Sequence, residues 1–329
     1  MKLLVLGGTH HVGRAAVEVA LARGDEVTTI NRGLSGVTVP GADARVADRR
    51  DAEAFASALG DDTWDAVLDT WSLEPAVVAS GAALLRDRVG HYGYVSSRSV
   101  YTWPIPSGAD ESAPVVTGDA ASEVAGDYAA AKRGGELAVL ESFGDRALLA
   151  RAGLILGPYE VVGRLPWWLG RLARGGPVPA PGPVSRPLQY VDARDLVGWM
   201  LACASSGTAG VFDAVSLPGH TTIGALLEEC VRVTGSTAAL SWVTPEQVEA
   251  AEVSGWTNLP IWVPPTGELA SLHDGDTRAA AAAGLVCRPM EETVADTWAW
   301  LQGEGWPTPP SGRAGSIGLS EEQEQRLLS

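Results

Sequence analysis

The chain has 329 residues, a formal net charge of −16 and three cysteines. An acidic surface repels phosphate backbones and anionic bilayers, so the composition argues against nucleic-acid or membrane partners. Cys203, Cys230 and Cys287 are widely spaced, which excludes a CxxC metal motif and gives no sign of a disulfide framework. The opening MKLLVLGG is too short an apolar run for a signal peptide or a spanning helix, and we expect a cytoplasmic protein without a metal site.

The first half of the chain alternates short apolar runs with helical stretches. Strands are predicted at 2–6, 26–30, 43–47, 65–69 and 90–96, and helices at 12–23, 51–59, 74–86 and 126–143. Strands that alternate with helices predict an α/β fold built on a Rossmann doubly wound parallel sheet.

The second half is predicted to be interleaved, with some segments returning to the sheet and others forming a smaller substrate lobe. A strand at 147–151 is followed by helical periodicity at 189–204, a strand at 210–215, a helix at 221–234 and a mostly helical cap at 242–304. We therefore assign 1–155 and 189–217 to a dinucleotide-binding domain and 156–188 and 218–306 to the C-terminal substrate lobe. Residues 307–329 are a linker and tail, with a short helix at 320–328.

A glycine-rich turn joins the first strand to the first helix. It runs Gly7-Gly8-Thr9-His10-His11-Val12-Gly13. Glycines allow close backbone approach to a pyrophosphate, and the helix N-terminus supplies free amides and a favourable dipole. In this position the pattern predicts a dinucleotide site, with one departure: histidine replaces the usual middle glycine. Adjacent histidines point apart and make a poor metal pair, but they can add donors to the phosphates.

The end of the second strand indicates which dinucleotide is bound. Asn31 and Arg32 offer a cation and no carboxylate, whereas a ribose 2′-hydroxyl is usually held by an acidic residue. Arg32 is therefore predicted to bind the 2′-phosphate, which makes NADP(H) the preferred cofactor and NAD(H) the alternative. Asp48 and Arg49, after the third strand, are further candidates for adenine contacts.

Three residues form a candidate proton-transfer set. Tyr128 and Lys132 lie four apart in a predicted helix, so the ammonium can stabilise the phenolate. A chance match is improbable because the chain has only six tyrosines and two lysines. Ser97, at the carboxyl end of the fifth predicted strand, can hold a substrate oxygen.

These features together identify a family resemblance. The GGTxxxG turn, the strand end Val95-Ser-Ser-Arg-Ser-Val-Tyr101, YxxxK and the later Arg186-Pro-Leu-Gln-Tyr-Val-Asp192 resemble extended short-chain dehydrogenase/reductases, the NAD-dependent epimerase/dehydratase superfamily. The likeness covers about 1–305 and is greatest to actinobacterial reductase-like members. It implies catalytic roles for Ser97, Tyr128 and Lys132, with Lys132 also binding the nicotinamide ribose. It also implies cofactor contacts at Thr70, Trp71, Leu154 and Ile155, and it allows a homodimer.

Departures from the family pattern guide the choice of reaction. Sugar-nucleotide dehydratases carry an Asp-Glu pair where this chain has Arg98 and Ser99, so dehydration loses support. Arg186 matches an arginine that binds the diphosphate in epimerases, although a domain-interface ion pair explains it equally well. The substrate-side candidates are Ser99, Trp103, Trp168 and Arg186.

The sequence favours an NAD(P)H-dependent oxidoreductase. We expect a carbonyl or imine reductase, or the reverse alcohol dehydrogenase, acting on a small metabolite. The alternatives are a sugar-nucleotide epimerase without net cofactor turnover and a non-catalytic dinucleotide-sensing or RNA-binding relative. The intact Ser97, Tyr128 and Lys132 argue against lost chemistry, and the acidic charge argues against RNA.

Overall fold

The computed structural model describes residues 1–35, 37–305 and 317–329. The strands are β1 (Lys2–Leu6), β2 (Glu26–Asn31), β3 (Asp43–Val46), β4 (Trp64–Asp69), β5 (Val89–Ser97), β6 (Ala147–Ala152), β7 (Leu154–Leu156), β8 (Pro177–Pro181), β9 (Pro187–Leu188), β10 (Tyr190–Asp192), β11 (Gly210–Ala214), β12 (Thr221–Thr222) and β13 (Ala239–Val243). The helices are α1 (His11–Ala22), α2 (Ala52–Leu59), α3 (Pro75–Leu85), α4 (Tyr128–Phe143), α5 (Arg164–Ala173), α6 (Ala193–Ser206), α7 (Ile223–Thr234), α8 (Pro245–Ala250), α9 (Arg278–Ala282), α10 (Met290–Glu304) and α11 (Glu321–Leu328).

Seven strands form one parallel sheet in the order β3-β2-β1-β4-β5-β6-β11. The chain moves outward from β1 to β3 and then crosses back to β4 on the other side of β1. The loops that leave β1 and β4 therefore diverge and open a crevice at the carboxyl ends of the strands. The predicted Rossmann fold is confirmed, and the late strand at 210–214 is the seventh member of its sheet.

Both faces of the sheet are buried, which explains the continuous apolar runs of its strands. In β1, Leu3 and Val5 face the layer formed by α1 and α6, whereas Leu4 and Leu6 face α2, α3 and α4. Successive side chains of a strand point to opposite faces, so each strand contributes to two separate cores.

A smaller lobe has a core of its own. Strand β8 pairs with β13, and helices α5, α7 and α10 pack beside them. Trp168, Leu226 and Val294 are fully buried in this lobe core. The lobe is assembled from segments on both sides of β11, so it is interleaved with the sheet as the sequence predicts.

Two predictions about the second half were wrong in detail. Residues 189–204 were expected to be helical throughout, but Tyr190–Asp192 form β10, and α6 begins only where Asp192 caps it by accepting a hydrogen bond from the Arg194 amide. The region 242–304 is not mostly helical, because 251–277 form no helix. Prolines 260, 264 and 265 and the left-handed backbone of Trp256 and Ile261 interrupt helical hydrogen bonding there.

The tail returns to the lobe. Helix α11 lies one residue inside the predicted 320–328, Leu327 is buried, and Glu324 accepts a hydrogen bond from Arg171 Nε at 2.7 Å. Most of the predicted linker, 307–316, lies outside the described residues. Within the described part of the chain, none of the helices has the length and apolar character to cross a membrane.

Candidate active site

The glycine turn leaves the N-terminus of α1 open. Gly7 and Gly8 adopt left-handed φ angles of 127° and 97°, and a Cβ on Gly13 would lie 2.7 Å from the Gly8 nitrogen. Helices α2, α4, α6 and α7 are capped by an Asp or Thr side chain, but the N-cap residue of α1, His10, forms no side-chain cap. The first amides of α1 therefore remain available to an anion, and the turn fits the pyrophosphate of a dinucleotide.

A pocket opens at the carboxyl ends of β1, β2 and β4, beside this turn. The predicted cofactor residues that line it are Gly7, Thr9, His10, Asn31, Arg32, Arg49, Thr70 and Trp71. The other lining residues are apolar or small, among them Leu34 and Leu73, and none of the described lining residues carries a carboxylate. The pocket thus combines a positive charge with apolar walls suited to an adenine ring.

Arg32 supplies that charge in an accessible form. Its side chain is exposed at the pocket rim, and within the described residues it forms no hydrogen bond or ion pair. Asn31, beside it, carries no charge, and its Oδ1 accepts a hydrogen bond from the Gly33 amide at 2.9 Å. Arg32 is therefore the lining cation most free to bind an anionic group.

Arg49 also lines the pocket, but its guanidinium is paired with a buried carboxylate. It donates to both carboxylate oxygens of Asp69, at 2.7 and 2.9 Å, and Asp69 is fully buried. Burial alone would raise the pKa of Asp69, but the Arg49 charge outweighs it and holds this pKa below its usual value. Tyr92 donates to the same carboxylate at 2.6 Å. Asp48 lies in its own loop, where it accepts from the Arg50 amide, and it does not line the pocket.

Asp69 supports the candidate site, and it was not predicted from the sequence. Its signal was a carboxylate at the end of an otherwise apolar strand, Ala66-Val-Leu-Asp69. Besides Arg49, it accepts a hydrogen bond from the Trp71 amide at 2.9 Å. The Trp71 carbonyl in turn accepts from Tyr94 and Lys132, so Asp69 fixes a turn that connects the pocket to the proton-transfer set.

Lys132 is the most buried residue of that set. It is buried, and its Nζ donates to the carbonyls of Trp71 and Val95, at 2.7 and 2.6 Å. Burial lowers the pKa of Lys132 to about 7, against the opposing charges of Asp69 and Glu136. An ammonium has three N–H donors, so one remains beyond these two carbonyls.

Tyr128 lies on α4 together with Lys132, and Ser97 lies on β5. Tyr128 is the first residue of α4 and is 45% exposed, and Asp127 caps the helix just before it. Ser97 ends β5, is partly exposed and accepts a hydrogen bond from the Ser99 amide at 3.1 Å. Lys132 bonds to the β5 carbonyl of Val95, so α4, which carries Tyr128, is attached to β5 two residues before Ser97.

The remaining cofactor candidates surround the turn without lining the pocket. Gly8, Val12 and Gly13 are buried in the turn or in α1, and Leu154 is buried in the lobe core. Ile155 packs on the core beneath α1 and α6. His11 is turned toward Leu156, and burial lowers its pKa to about 4, so it brings no positive charge to a phosphate.

The four substrate candidates do not converge. Ser99 and Trp103 are partly exposed near the end of β5. Trp168 has no exposed surface and donates through Nε1 to the Pro260 carbonyl at 2.7 Å, which makes it a core residue rather than a ligand contact. Arg186 donates to the carbonyls of Pro264 and Ala270, at 3.2 and 2.6 Å, so it ties down the irregular lobe segment.

Arg98, which replaces an acidic residue of the dehydratase pattern, faces away from the cleft. It is buried, its Nε lies 3.1 Å from Asp213 Oδ2, and its Nη1 donates to the Leu272 carbonyl. This position between the sheet and the lobe is structural and offers no acid for dehydration.

Residues 3–214 match the family model of the NAD dependent epimerase/dehydratase family. The chain belongs to this family. The match spans most of the sheet together with the glycine turn and the proton-transfer set, and it confirms the resemblance to extended short-chain dehydrogenase/reductases. No curated protein sequence matches the chain.

Solved structures of this family share the fold at low identity. The enzyme WbmH of Bordetella bronchiseptica, in complex with NAD+, superposes with a TM-score of 0.69 and 18% identity, over 93% of this chain and 99% of its own. The UDP-glucose 4-epimerase of Thermotoga maritima, with UDP-glucose, gives 0.65 and 17%, over 92% and 99%. The dTDP-glucose 4,6-dehydratase of Bacillus anthracis, in complex with NAD, gives 0.65 and 14%, over 93% and 98%. These likenesses show a common fold across nearly the whole length of each chain.

Proposed function

We propose that this member of the family is an NADP(H)-dependent reductase of carbonyl or imine groups on a small metabolite, or the reverse alcohol dehydrogenase. The observation that carries the proposal is the pocket rim at the end of β2. There Arg32 is exposed, and among the residues that the structure describes it has no partner and the pocket lining has no carboxylate. A 2′-phosphate needs such a cation, whereas a free 2′-hydroxyl is usually held by an acid.

The chain's own residues would then divide the chemistry. When bound, the cofactor supplies the hydride that reduces the carbonyl carbon. The Tyr128 hydroxyl gives its proton to the carbonyl oxygen, and the Ser97 hydroxyl holds that oxygen by a hydrogen bond. Lys132 follows Tyr128 by four residues on α4, and in its ammonium form it has a third N–H that is available to the nicotinamide ribose.

The structure gives less support to epimerisation of a sugar nucleotide. That alternative relied on Arg186 as a diphosphate ligand, and Arg186 Nη2 instead donates to two backbone carbonyls of the lobe. Consumption of the cofactor separates the two reactions, since an epimerase returns the hydride and leaves the cofactor unchanged.

The first test compares the two cofactors. Titration with NADPH and NADH, followed by tryptophan fluorescence, uses Trp71 in the pocket lining as the reporter. We expect NADPH to bind more tightly, and NADPH to be oxidised when a panel of aldehydes, ketones and imines is added. Preference for NADH, together with no net cofactor oxidation, would instead support the epimerase.

The second test removes the proposed acid. Tyr128→Phe should abolish turnover and leave the Kd for NADPH unchanged, because only the phenol oxygen is lost. Tyr159→Phe is the matched control, since this partly buried tyrosine packs against Arg14 outside the pocket. Full activity in Tyr128→Phe would refute the assignment of the acid.

A further inference from the structure

The end of β5 is anchored from below at two positions. Ser96 and Arg98 are buried, 3% and 2% exposed, whereas Ser97 and Ser99 between and after them are partly exposed. Ser96 lies in β5 and Arg98 in the 3-10 turn that follows it, and these two side chains point into the interior while Ser97 and Ser99 are partly exposed. The position of Ser97 is therefore set by what holds its neighbours.

Glu136 holds the first of these neighbours. It is fully buried, and its Oε1 accepts from Ser96 Oγ at 2.7 Å and from Arg151 Nε at 2.8 Å. Its Oε2 accepts from Arg151 Nη2 at 3.0 Å and from Arg133 Nη1 at 2.8 Å. Both oxygens are thus occupied by directed, charge-assisted hydrogen bonds, which fix the carboxylate in one place.

The location of Glu136 makes this arrangement relevant to proton transfer. It lies on α4 four residues after Lys132 and eight after Tyr128, so it belongs to the helix that carries both. Ser96 belongs to β5, which carries Ser97, and Arg151 belongs to β6 beside it. One carboxylate therefore joins the helix to the two adjacent strands.

We propose that Glu136 is a positioning residue, which locks the end of β5 against α4 and so fixes Ser97 relative to Tyr128 and Lys132. The inference rests on the proposed function, because it assigns a purpose to the distance between these groups. Since catalysis by oriented groups is sensitive to displacements of about 1 Å, loss of the lock should reduce turnover more than binding.

Two variants release the lock to different degrees. Ser96→Ala removes only the bond between Glu136 and β5 and leaves both arginine pairs intact. Glu136→Gln keeps the size of the side chain but presents an amide NH2 to donors that need an acceptor. Glu141→Gln is the matched control, because this glutamate lies on the same helix, is exposed and is the same chemical change.

The measurement is kcat with a carbonyl substrate, alongside the Kd for NADPH and hydrogen exchange of the segment 96–101. We expect kcat to fall about 10-fold in Ser96→Ala and up to about 100-fold in Glu136→Gln, with the Kd for NADPH within 2-fold of wild type. Glu141→Gln should match wild type in every readout.

The outcomes separate this inference from the proposed function. Wild-type turnover that persists within 2-fold in both variants would overturn the inference and leave the function standing. If the wild-type protein reduces no carbonyl or imine, the proposed function fails, and hydrogen exchange decides the positioning role. Faster exchange at 96–101 in both variants, but not in the control, would support the lock, and unchanged exchange would refute it.

Discussion

Arg32 and Arg49 show how the same side chain can have different roles in one pocket. Arg49 is buried against Asp69, so the carboxylate neutralises its charge. Replacement of either residue by an uncharged one would leave the other as an unpaired buried ion. Arg32 has no partner within the described residues and faces the open rim. At the scale of single residues, the charge available to a ligand is therefore decided by pairing rather than by residue type.

Replacement of Arg32 by alanine should change cofactor preference. Hydrogen bonds to a charged group contribute about 1.5 to 3 kcal/mol, so Arg32→Ala should raise the Kd for NADPH about 10- to 100-fold and leave that for NADH unchanged. Arg45→Ala is the control, because it removes the same charge from an arginine that pairs with Asp43 and Asp62 outside the pocket. Fluorescence titration measures the six constants of wild type and the two variants, and an equal loss for both cofactors in Arg32→Ala would contradict the role of Arg32.

The sequence predicts candidate chemical groups of the site, but it does not predict the residues that support them from other elements. Tyr128, Lys132 and the glycine turn could be proposed because their spacing along one element is visible in the chain. Asp69 and Glu136 could not, because their partners Arg49, Tyr92, Ser96 and Arg151 lie on other elements. Trp168 was misjudged for the same reason, since burial depends on what packs around a residue.

At the scale of elements, α1 and α5 differ in whether a side chain accepts hydrogen bonds from the backbone amides at the helix N-terminus. Helix α1 has no side-chain cap, as a phosphate-binding helix requires. Helix α5 is served by Glu160, which is 1% exposed and accepts hydrogen bonds from the amides of Arg164 and Leu165, at 2.7 and 3.2 Å. Burial raises the pKa of Glu160 to about 7, despite these bonds.

Glu160 should therefore make stability depend on pH. The folded state binds a proton that the unfolded chain releases between about pH 4.5 and 7, so this group's contribution to the free energy of unfolding decreases as pH rises through that window. Glu160→Gln cannot titrate, so it does not lose this stability as pH rises. Its free energy of unfolding relative to wild type should therefore increase by up to about 3 kcal/mol from pH 4.5 to above 7. Urea unfolding at several pH values measures this difference.

Glu249→Gln provides the matched control for that experiment, because Glu249 is an exposed residue of α8 in the same lobe. Its stability relative to wild type should not vary with pH. A pH-independent difference for Glu160→Gln as well would mean that Glu160 remains ionised across the window.

At the scale of the whole molecule, the sheet and the interleaving of the lobe could be predicted, but the irregular part of the lobe could not. Strands buried on both faces give continuous apolar runs, and short connections order them along the chain. The lobe instead depends on long-range contacts of an irregular segment, 251–277, whose backbone groups are satisfied by Trp168, Arg186 and His273. Local periodicity carries no record of such contacts.

His273 connects this irregular segment to Gln189, the residue between β9 and β10. It is buried, its Nε2 lies 2.9 Å from the Ile261 carbonyl, and its Nδ1 lies 3.2 Å from the Gln189 amide. One ring nitrogen donates and the other accepts, which is the pattern of a neutral imidazole. Burial accordingly lowers the pKa of His273 to about 4.

His273 should make the whole fold sensitive to acid. Its pKa is lower in the folded state than its ordinary 6.5, so the unfolded chain binds more protons between about pH 6.5 and 4, and stability falls as pH decreases through that range. The full effect is about 3 kcal/mol. Because Glu160 acts in the opposite direction over part of this range, the test belongs in the Glu160→Gln background. There, His273→Gln should reduce the stability lost between pH 7 and 4.5, measured by urea unfolding. An unchanged loss would show that His273 is not what makes the fold acid-sensitive.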